Sequence, residues 1–251
     1  MFYNLTCVNE VSRIENLEKL ILKTCILKTG KSINWYKMDW KDCWEKGNMP
    51  WHIEAVHPKF LLHVDKITEK KNNAKILFPL CGKAVEMFYL AKKGHTIVGV
   101  EYIEIAVKQF FDENKLSYET KPVPEIDGDV YENEANNIKI YCGDYFKFSQ
   151  TLETNFDGVW DRGGLEAVPI DQRGKYTDVM KSVMKRGAPC VTEVPDRPVG
   201  EGPPFNLTAD EITRLYDLKT PPEKVDYDPA SESLKSMNVD GMIYYYYKIN
   251  S

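Results

Sequence analysis

The chain has 251 residues, of which 43% are hydrophobic, 12% aromatic and 28% charged, enough to bury one sizeable core and to exclude collagen-like, low-complexity and wholly disordered classes. Lys and Arg number 33 against 38 Asp and Glu, a net charge of −5, so there is no positive field to gather a nucleic-acid backbone or an anionic lipid surface. Apolar runs such as 76–81 and 97–100 are far shorter than the roughly 20 residues that span a bilayer, and no basic stretch followed by an apolar run opens the chain. No nucleic acid, no membrane and no secretory signal is therefore expected. Cys7, Cys25, Cys43, Cys81, Cys142 and Cys190 are scattered without a CxxC pair, and His52, His57, His63 and His95 lack ligand spacing, so no metal site is expected. Free thiols used as core filler point to a reducing compartment, the cytoplasm.

In chain order, Val11, Ile14, Leu17, Ile21 and Leu22 recur at spacings near three and four, predicting an amphipathic helix in an N-terminal extension over 1–35. A single domain then covers 36–251. Trp40 and Trp44 lie one helical turn apart, before a break at Gly47 and Pro50 and a further Trp51. From residue 74 the pattern alternates: strand 74–79, helix 83–93 stopped by Gly94, strand 96–101, helix 102–114. An insertion rich in Pro122, Pro124, Gly128 and Asp129 follows, with a hairpin near Val130 and Tyr131. Strands over 137–142 and 156–160, a helix over 171–186 and a strand over 188–194 continue the alternation. Thr208-Ala-Asp-Glu211 has the form of a capping box, and the tyrosine-rich 242–249 predicts a terminal strand. This order predicts an α/β fold, a doubly wound, mostly parallel sheet with helices on both faces.

Ligands of such sheets bind beyond the carboxyl ends of the strands. After the first strand comes Phe78-Pro-Leu-Cys-Gly82, a turn with one glycine where a dinucleotide binder would offer G-x-G-x-x-G, which counts against a nicotinamide-dependent oxidoreductase. The second strand ends in Glu101, nineteen residues after Gly82, where a carboxylate suits the two hydroxyls of a ribose. Asp144 and Tyr145, after the third, suit the exocyclic amine and the ring face of adenine, though an Asp capping a turn reads equally well from the residues alone. Trp160-Asp161-Arg162-Gly163-Gly164, after the fourth, reads either as a loop held by a salt bridge or as a site facing the reactive end of the ligand.

The stretches Phe78-Pro-Leu-Cys-Gly-Lys-Ala-Val-Glu-Met87, Gly94-His-Thr-Ile-Val-Gly-Val-Glu101, Phe156-Asp-Gly-Val-Trp-Asp-Arg-Gly163 and Gly202-Pro-Pro-Phe205 resemble the signature segments of the thiopurine S-methyltransferase family. The resemblance runs from about Trp40 to near the C-terminus. It implies a class I, Rossmann-like methyltransferase with a seven-stranded sheet, its last strand antiparallel, binding S-adenosylmethionine and releasing S-adenosylhomocysteine. It implies that Trp40 and Trp44 lie over the cofactor, and that the Leu80 backbone and the Glu101 side chain hold its methionine and ribose portions, beside the turn glycine Gly82 that the residues themselves single out. Tyr145 then falls beside the adenine and Arg162 at the cofactor or substrate, whereas Asp144 stands where the family's mammalian pattern has a small polar residue. The chemistry agrees: aromatic faces stabilise a cation such as a sulfonium by about 0.5 to 2 kcal/mol per contact once water is excluded. The implied acceptor is the sulfur, or selenium, of a small aromatic or heterocyclic thiol. Such a thiol is readily ionised, so alignment matters more than a strong base. Arg162 is the expected substrate residue, favouring a thiolate or a carboxylate on the acceptor, and Asp161 is expected to orient it or take a proton.

The family's late loop carries an arginine near Lys-Ser-Trp-Gly; the corresponding Ser231–Asn238 segment has neither arginine nor tryptophan, leaving a second anion contact without a residue. That departure motivates an alternative, a cofactor-binding protein with altered or lost turnover. A monomer is expected.

Overall fold

The computed structural model describes residues 39–199 and 202–251. The helix expected over Val11 to Leu22 lies outside the described residues. The strands are β1 (Lys75–Pro79), β2 (Thr96–Glu101), β3 (Glu119–Val123), β4 (Gly128–Asn133), β5 (Ile138–Cys142), β6 (Gly158–Asp161), β7 (Ala188–Asp196), β8 (Glu223–Pro229) and β9 (Gly241–Ile249). The helices are α1 (Trp40–Glu45), α2 (Pro58–Thr68), α3 (Val85–Ala91), α4 (Glu104–Glu113), α5 (Arg173–Val183), α6 (Ala209–Leu215) and α7 (Glu232–Lys235).

The strands form one sheet in the order β3-β4-β5-β2-β1-β6-β7-β9-β8. From β5 to β7 all neighbours are parallel, and β9 runs antiparallel between β7 and β8. The sheet therefore has nine strands, not the seven that the resemblance implies. The additional pair is the hairpin β3-β4, which joins the edge of β5 antiparallel and comes from the insertion after α4. Its turn lies at Pro124–Ile126, so Val130 and Tyr131 sit within β4 rather than at the bend. Four of the five β3 residues are exposed, and Pro122 is tolerated there because an edge strand need not donate from every residue.

Side chains alternate across the sheet with period two. Leu77, Val98, Val159 and Cys190 point into one apolar layer with Tyr176 and Met180 of α5 and Ile212 of α6. Ile76, Phe78, Ile97, Trp160 and Val191 point into the other, with Phe60 and Ile67 of α2, Met87 of α3 and Phe110 of α4. Burying each large side chain in these layers contributes about 1.5 to 3 kcal/mol.

Two local signals act as the sequence indicates. The Thr208 side chain accepts from the Glu211 amide at 3.1 Å and starts α6. The carboxylate of Glu211, instead of closing the capping box, accepts from the buried Arg173 guanidinium at 2.6 Å.

At the amino ends of β1 and β6, Asp157 ties these strands to their neighbours. It accepts from the Lys75 amide at 2.9 Å, Lys71 Nζ at 3.0 Å and Lys185 Nζ at 2.8 Å. Burial alone would raise its pKa, but the hydrogen bonds from Lys185, the Lys75 amide and Lys71 prevail and hold it down at about 2. A depressed carboxylate stabilises the fold above its unfolded pKa and loses that contribution as pH falls through the folded value. Asp157→Asn is expected to cost about 2 kcal/mol in urea unfolding at pH 7, with the difference from the parent shrinking steadily between pH 4 and pH 2.

Candidate active site

The chain order reverses between β1 and β6, so the crevice beyond their carboxyl ends is the place where a doubly wound sheet takes its ligand. The backbone there is unusual. Leu80 adopts φ 45°, the left-handed region that a side chain with a Cβ rarely enters, and Gly82 follows at φ 52°. The strained turn is held from β2: the Cys81 amide donates to the Val100 carbonyl at 3.0 Å, and the Gly82 amide to Glu101 Oε2 at 2.7 Å. Glu101 Oε1 accepts from the amides of Tyr102 and Ile103, both at 2.8 Å. Glu101 is buried, and burial pushes its pKa up while the three amides pull it down. A carboxylate has about four acceptor directions, so three amides leave Oε2 able to accept one hydroxyl proton more.

Above this turn lies α1, started by Asp39, whose side chain accepts from the Asp42 amide. Its Trp44 is buried against Ile103 and Ala106 at the start of α4. A Cβ on Gly82 would stand 3.2 Å from the Trp44 ring, so glycine serves here both for its positive φ and for the approach of the indole. Trp51, beyond the break at Gly47, packs edge-on to Trp40 and Trp44 with centroids 5.1 and 6.4 Å away. The structure thus brings Trp40, Trp44, Leu80, Gly82 and Glu101 together, and adds Trp51. Sequence reasoning left Trp51 outside the site because Gly47 and Pro50 interrupt the helical spacing that linked the other two.

Beyond β5, Asp144 Oδ1 accepts from the Phe146 amide at 2.9 Å and starts a short 3-10 turn, the turn-capping alternative of the sequence reading. Tyr145 is buried, stacked on Tyr176 with centroids 4.6 Å apart, and its hydroxyl donates to the Tyr176 carbonyl. The exposed ring of this turn is Phe146.

Beyond β6, neighbouring residues separate into two environments. Asp161 is 1% exposed, and its Oδ1 accepts from the Leu165 amide at 3.1 Å and the Tyr176 hydroxyl at 3.0 Å. Oδ2 has no hydrogen-bond partner among the described residues. Burial, opposed by those two bonds, raises Asp161 to about 6. Arg162 is oriented by other groups: Nη2 donates to the Trp51 carbonyl at 3.1 Å, and Nε stands 3.2 Å from Glu193 Oε1. Glu193, buried on β7, accepts at Oε2 from the Tyr244 hydroxyl of β9 at 2.6 Å. Glu86 of α3 accepts from the His57 amide at 2.7 Å, and burial raises its pKa. Glu166 is driven well above the ordinary carboxylate range, first by burial and then by the charge of Glu193. His57 is lowered, chiefly by burial, as is His52, which falls to about 4 through burial and the nearby charge of Lys83. Both imidazoles are therefore neutral near pH 7.

The late segment Ser231–Asn238 forms the short helix α7 and is tied down by Arg197, which donates to the carbonyls of Met237 and Pro204. Two surface clefts, of about 360 and 280 Å³, are lined by residues such as Thr220, Tyr246 and Lys248, and Thr96, Glu132 and Ile138. Both lie at the amino ends of the parallel strands, away from these groups.

The sheet order is that of the class I methyltransferase fold. Two solved structures share the fold: a 1,6-didemethyltoxoflavin-N1-methyltransferase of Burkholderia thailandensis with bound S-adenosylhomocysteine (TM-score 0.58, 15% identity, 85% of this chain and 86% of that one), and the N-methyltransferase NodS of Bradyrhizobium japonicum, also with S-adenosylhomocysteine (TM-score 0.57, 11% identity, 84% and 98%). The family profile of thiopurine S-methyltransferase matches residues 36–247. Thiopurine S-methyltransferases of Equus caballus and Oryctolagus cuniculus are each 36% identical to the chain, over 82% and 80% of it and 85% and 84% of their own lengths. The chain belongs to the thiopurine S-methyltransferase family, and it is a methyltransferase that uses S-adenosylmethionine. Neither the oxidoreductase nor the inactive binding protein is favoured.

Proposed function

We propose that this protein transfers the methyl group of S-adenosylmethionine to the sulfur or selenium of a small aromatic or heterocyclic thiol, thiopurines among them, acting as a cytoplasmic monomer. The observation that carries this reading is the strained Leu80–Gly82 turn, clasped by Glu101 and covered by Trp44, with Arg162 at the end of the adjoining strand. When bound, the cofactor supplies an electrophilic methyl group on a cationic sulfur.

The residues divide the work. The Oε2 of Glu101 accepts from a ribose hydroxyl, and the backbone of Leu80 and Gly82 receives the methionine portion. Trp40, Trp44 and Trp51 exclude water and present ring faces to positive charge. Asp144, the backbone of Tyr145 and the Phe146 ring border the adenine. Arg162, fixed by the Trp51 carbonyl and Glu193, donates to the acceptor and aligns its sulfur for in-line displacement. Asp161, held by Leu165 and Tyr176, shapes the loop that carries Arg162 and keeps Oδ2 as a proton acceptor of raised pKa.

The test is a screen of aryl thiols, selenols and thiopurines with labelled methyl donor. Arg162→Ala is expected to lower kcat/KM for the thiol at least tenfold while S-adenosylhomocysteine affinity changes less than threefold. Equal loss in both would place Arg162 on the cofactor instead.

A further inference from the structure

An arginine at an acceptor site ordinarily recruits a carboxylate or phosphate on the substrate, because its planar fork matches an anion and its charge has no other outlet. Arg162 has another outlet. Its Nε lies 3.2 Å from Glu193 Oε1 in an ion pair without hydrogen-bond alignment, and its Nη2 is spent on the Trp51 carbonyl at 3.1 Å. Glu193 is itself nearly buried and fixed from its other oxygen by the Tyr244 hydroxyl at 2.6 Å, so this partner is built into the sheet and does not swing away. Other titratable groups around Arg162 are the carboxyls of Glu86 and Glu166, the Tyr244 phenol and the His52 imidazole, and the His57 imidazole stands 3.8 Å from Glu193 Oε2. Within the Ser231–Asn238 segment the one cation is Lys235, which pairs with Glu232, and Arg197 at the end of β7 is engaged by the carbonyls of Met237 and Pro204.

We infer that the Arg162–Glu193 pair makes the acceptor site selective for aromatic or heterocyclic thiols that bear no further anionic group and excludes those that carry a carboxylate or phosphate. The inference rests on the proposed S-methylation. An anionic acceptor brought to Arg162 meets a buried carboxylate at the same guanidinium, and like charges at such a distance are costly where water is excluded. A neutral ring meets a compensated pair and keeps the hydrogen bond to its sulfur. Glu193 is thus a specificity-determining residue, acting through Arg162, and Tyr244 positions it.

The experiment compares 4-mercaptobenzoate with its methyl ester, which share the ring and the thiol and differ in charge, on the parent protein and on Glu193→Gln. The parent is expected to favour the ester by at least tenfold in kcat/KM, and E193Q to narrow that ratio at least tenfold, mainly through KM for the acid. S-adenosylhomocysteine titration of E193Q, expected within threefold of the parent, verifies that the variant is folded. A second measurement needs no variant and no turnover: with S-adenosylhomocysteine bound, the parent is expected to bind methyl benzoate at least tenfold more tightly than benzoate. Equal or preferred use of the acid by the parent, an unchanged ratio in folded E193Q, or tighter binding of benzoate overturns the inference. Failure to methylate any thiol overturns the S-methylation itself, and the binding order of the two benzoyl ligands still decides the charge selectivity.

Discussion

Glu101→Ala is expected to weaken S-adenosylhomocysteine binding by about 1 to 3 kcal/mol, a loss of roughly 5- to 150-fold in Kd, and to destabilise the fold as well. Both effects have one origin. The carboxylate satisfies the amides of Gly82, Tyr102 and Ile103 at 2.7 to 2.8 Å, and alanine leaves all three without their acceptor. Each buried amide left unmet costs about 1 to 3 kcal/mol, and the Leu80–Gly82 turn loses the bond that holds it to β2. Glu101→Gln separates the two contributions. Its amide oxygen keeps the Tyr102 and Ile103 bonds, while its NH2 meets the Gly82 amide donor to donor. Titration calorimetry together with urea unfolding is expected to show intermediate stability and cofactor affinity nearer to that of E101A. Unchanged affinity in folded E101Q and E101A would remove Glu101 from the ribose site.

Gly164→Ala tests the loop beyond β6. A Cβ at Gly164 would lie 2.3 Å from Asp161 Oδ1 and 2.4 Å from the Tyr176 hydroxyl, far inside contact distance and against two groups that are bonded to each other. The loop must move outward, and the Asp161 bond to the Leu165 amide goes with it. Overpacking of this kind costs about 1 to 3 kcal/mol, which for a domain of this size lowers Tm by several degrees. Because Arg162 lies within the displaced segment, kcat is expected to fall at least tenfold, with the KM for the thiol rising. Gly163→Ala, whose Cβ would meet no atom within 4 Å, is expected to cost only the strain of its φ of 74°. Thermal unfolding and steady-state kinetics of the pair check this, and equal effects at the two positions would contradict the steric account.

The central strands were legible in the sequence because each is a short apolar run bounded by turn residues, and the alternation with helices fixes a parallel order. The edges were not. β3 and β8 carry mostly exposed or half-exposed residues such as Glu119, Lys121, Glu223 and Asp226, so neither shows an apolar face. α2 does announce itself, through Pro58 in its first turn, the His57 cap and the spacing of Phe60, Val64 and Ile67, but its polar surface and the preceding tryptophans obscure the period. At the candidate site, residue identity pointed to Gly82 and Glu101, which the structure joins by a hydrogen bond, because the chemistry of a strand end constrains them. Partners set by long-range packing were hidden. Nothing near Arg162 in the chain indicates that Glu193, thirty-one residues later, is its counter-ion, or that Tyr244 fixes that carboxylate. The aromatic position beside Asp144 illustrates the same limit: Tyr145 turns inward onto Tyr176, whereas Phe146 stays exposed, a choice made by the 3-10 turn and not by composition.

The most direct measurement is a crystal structure with S-adenosylhomocysteine. One ribose hydroxyl is expected on Glu101 Oε2, the homocysteine along Leu80–Gly82 beneath the tryptophans, and the sulfur on the Arg162 side of the crevice. A ligand bound elsewhere, with Glu101 and the Leu80–Gly82 turn untouched, would contradict the account.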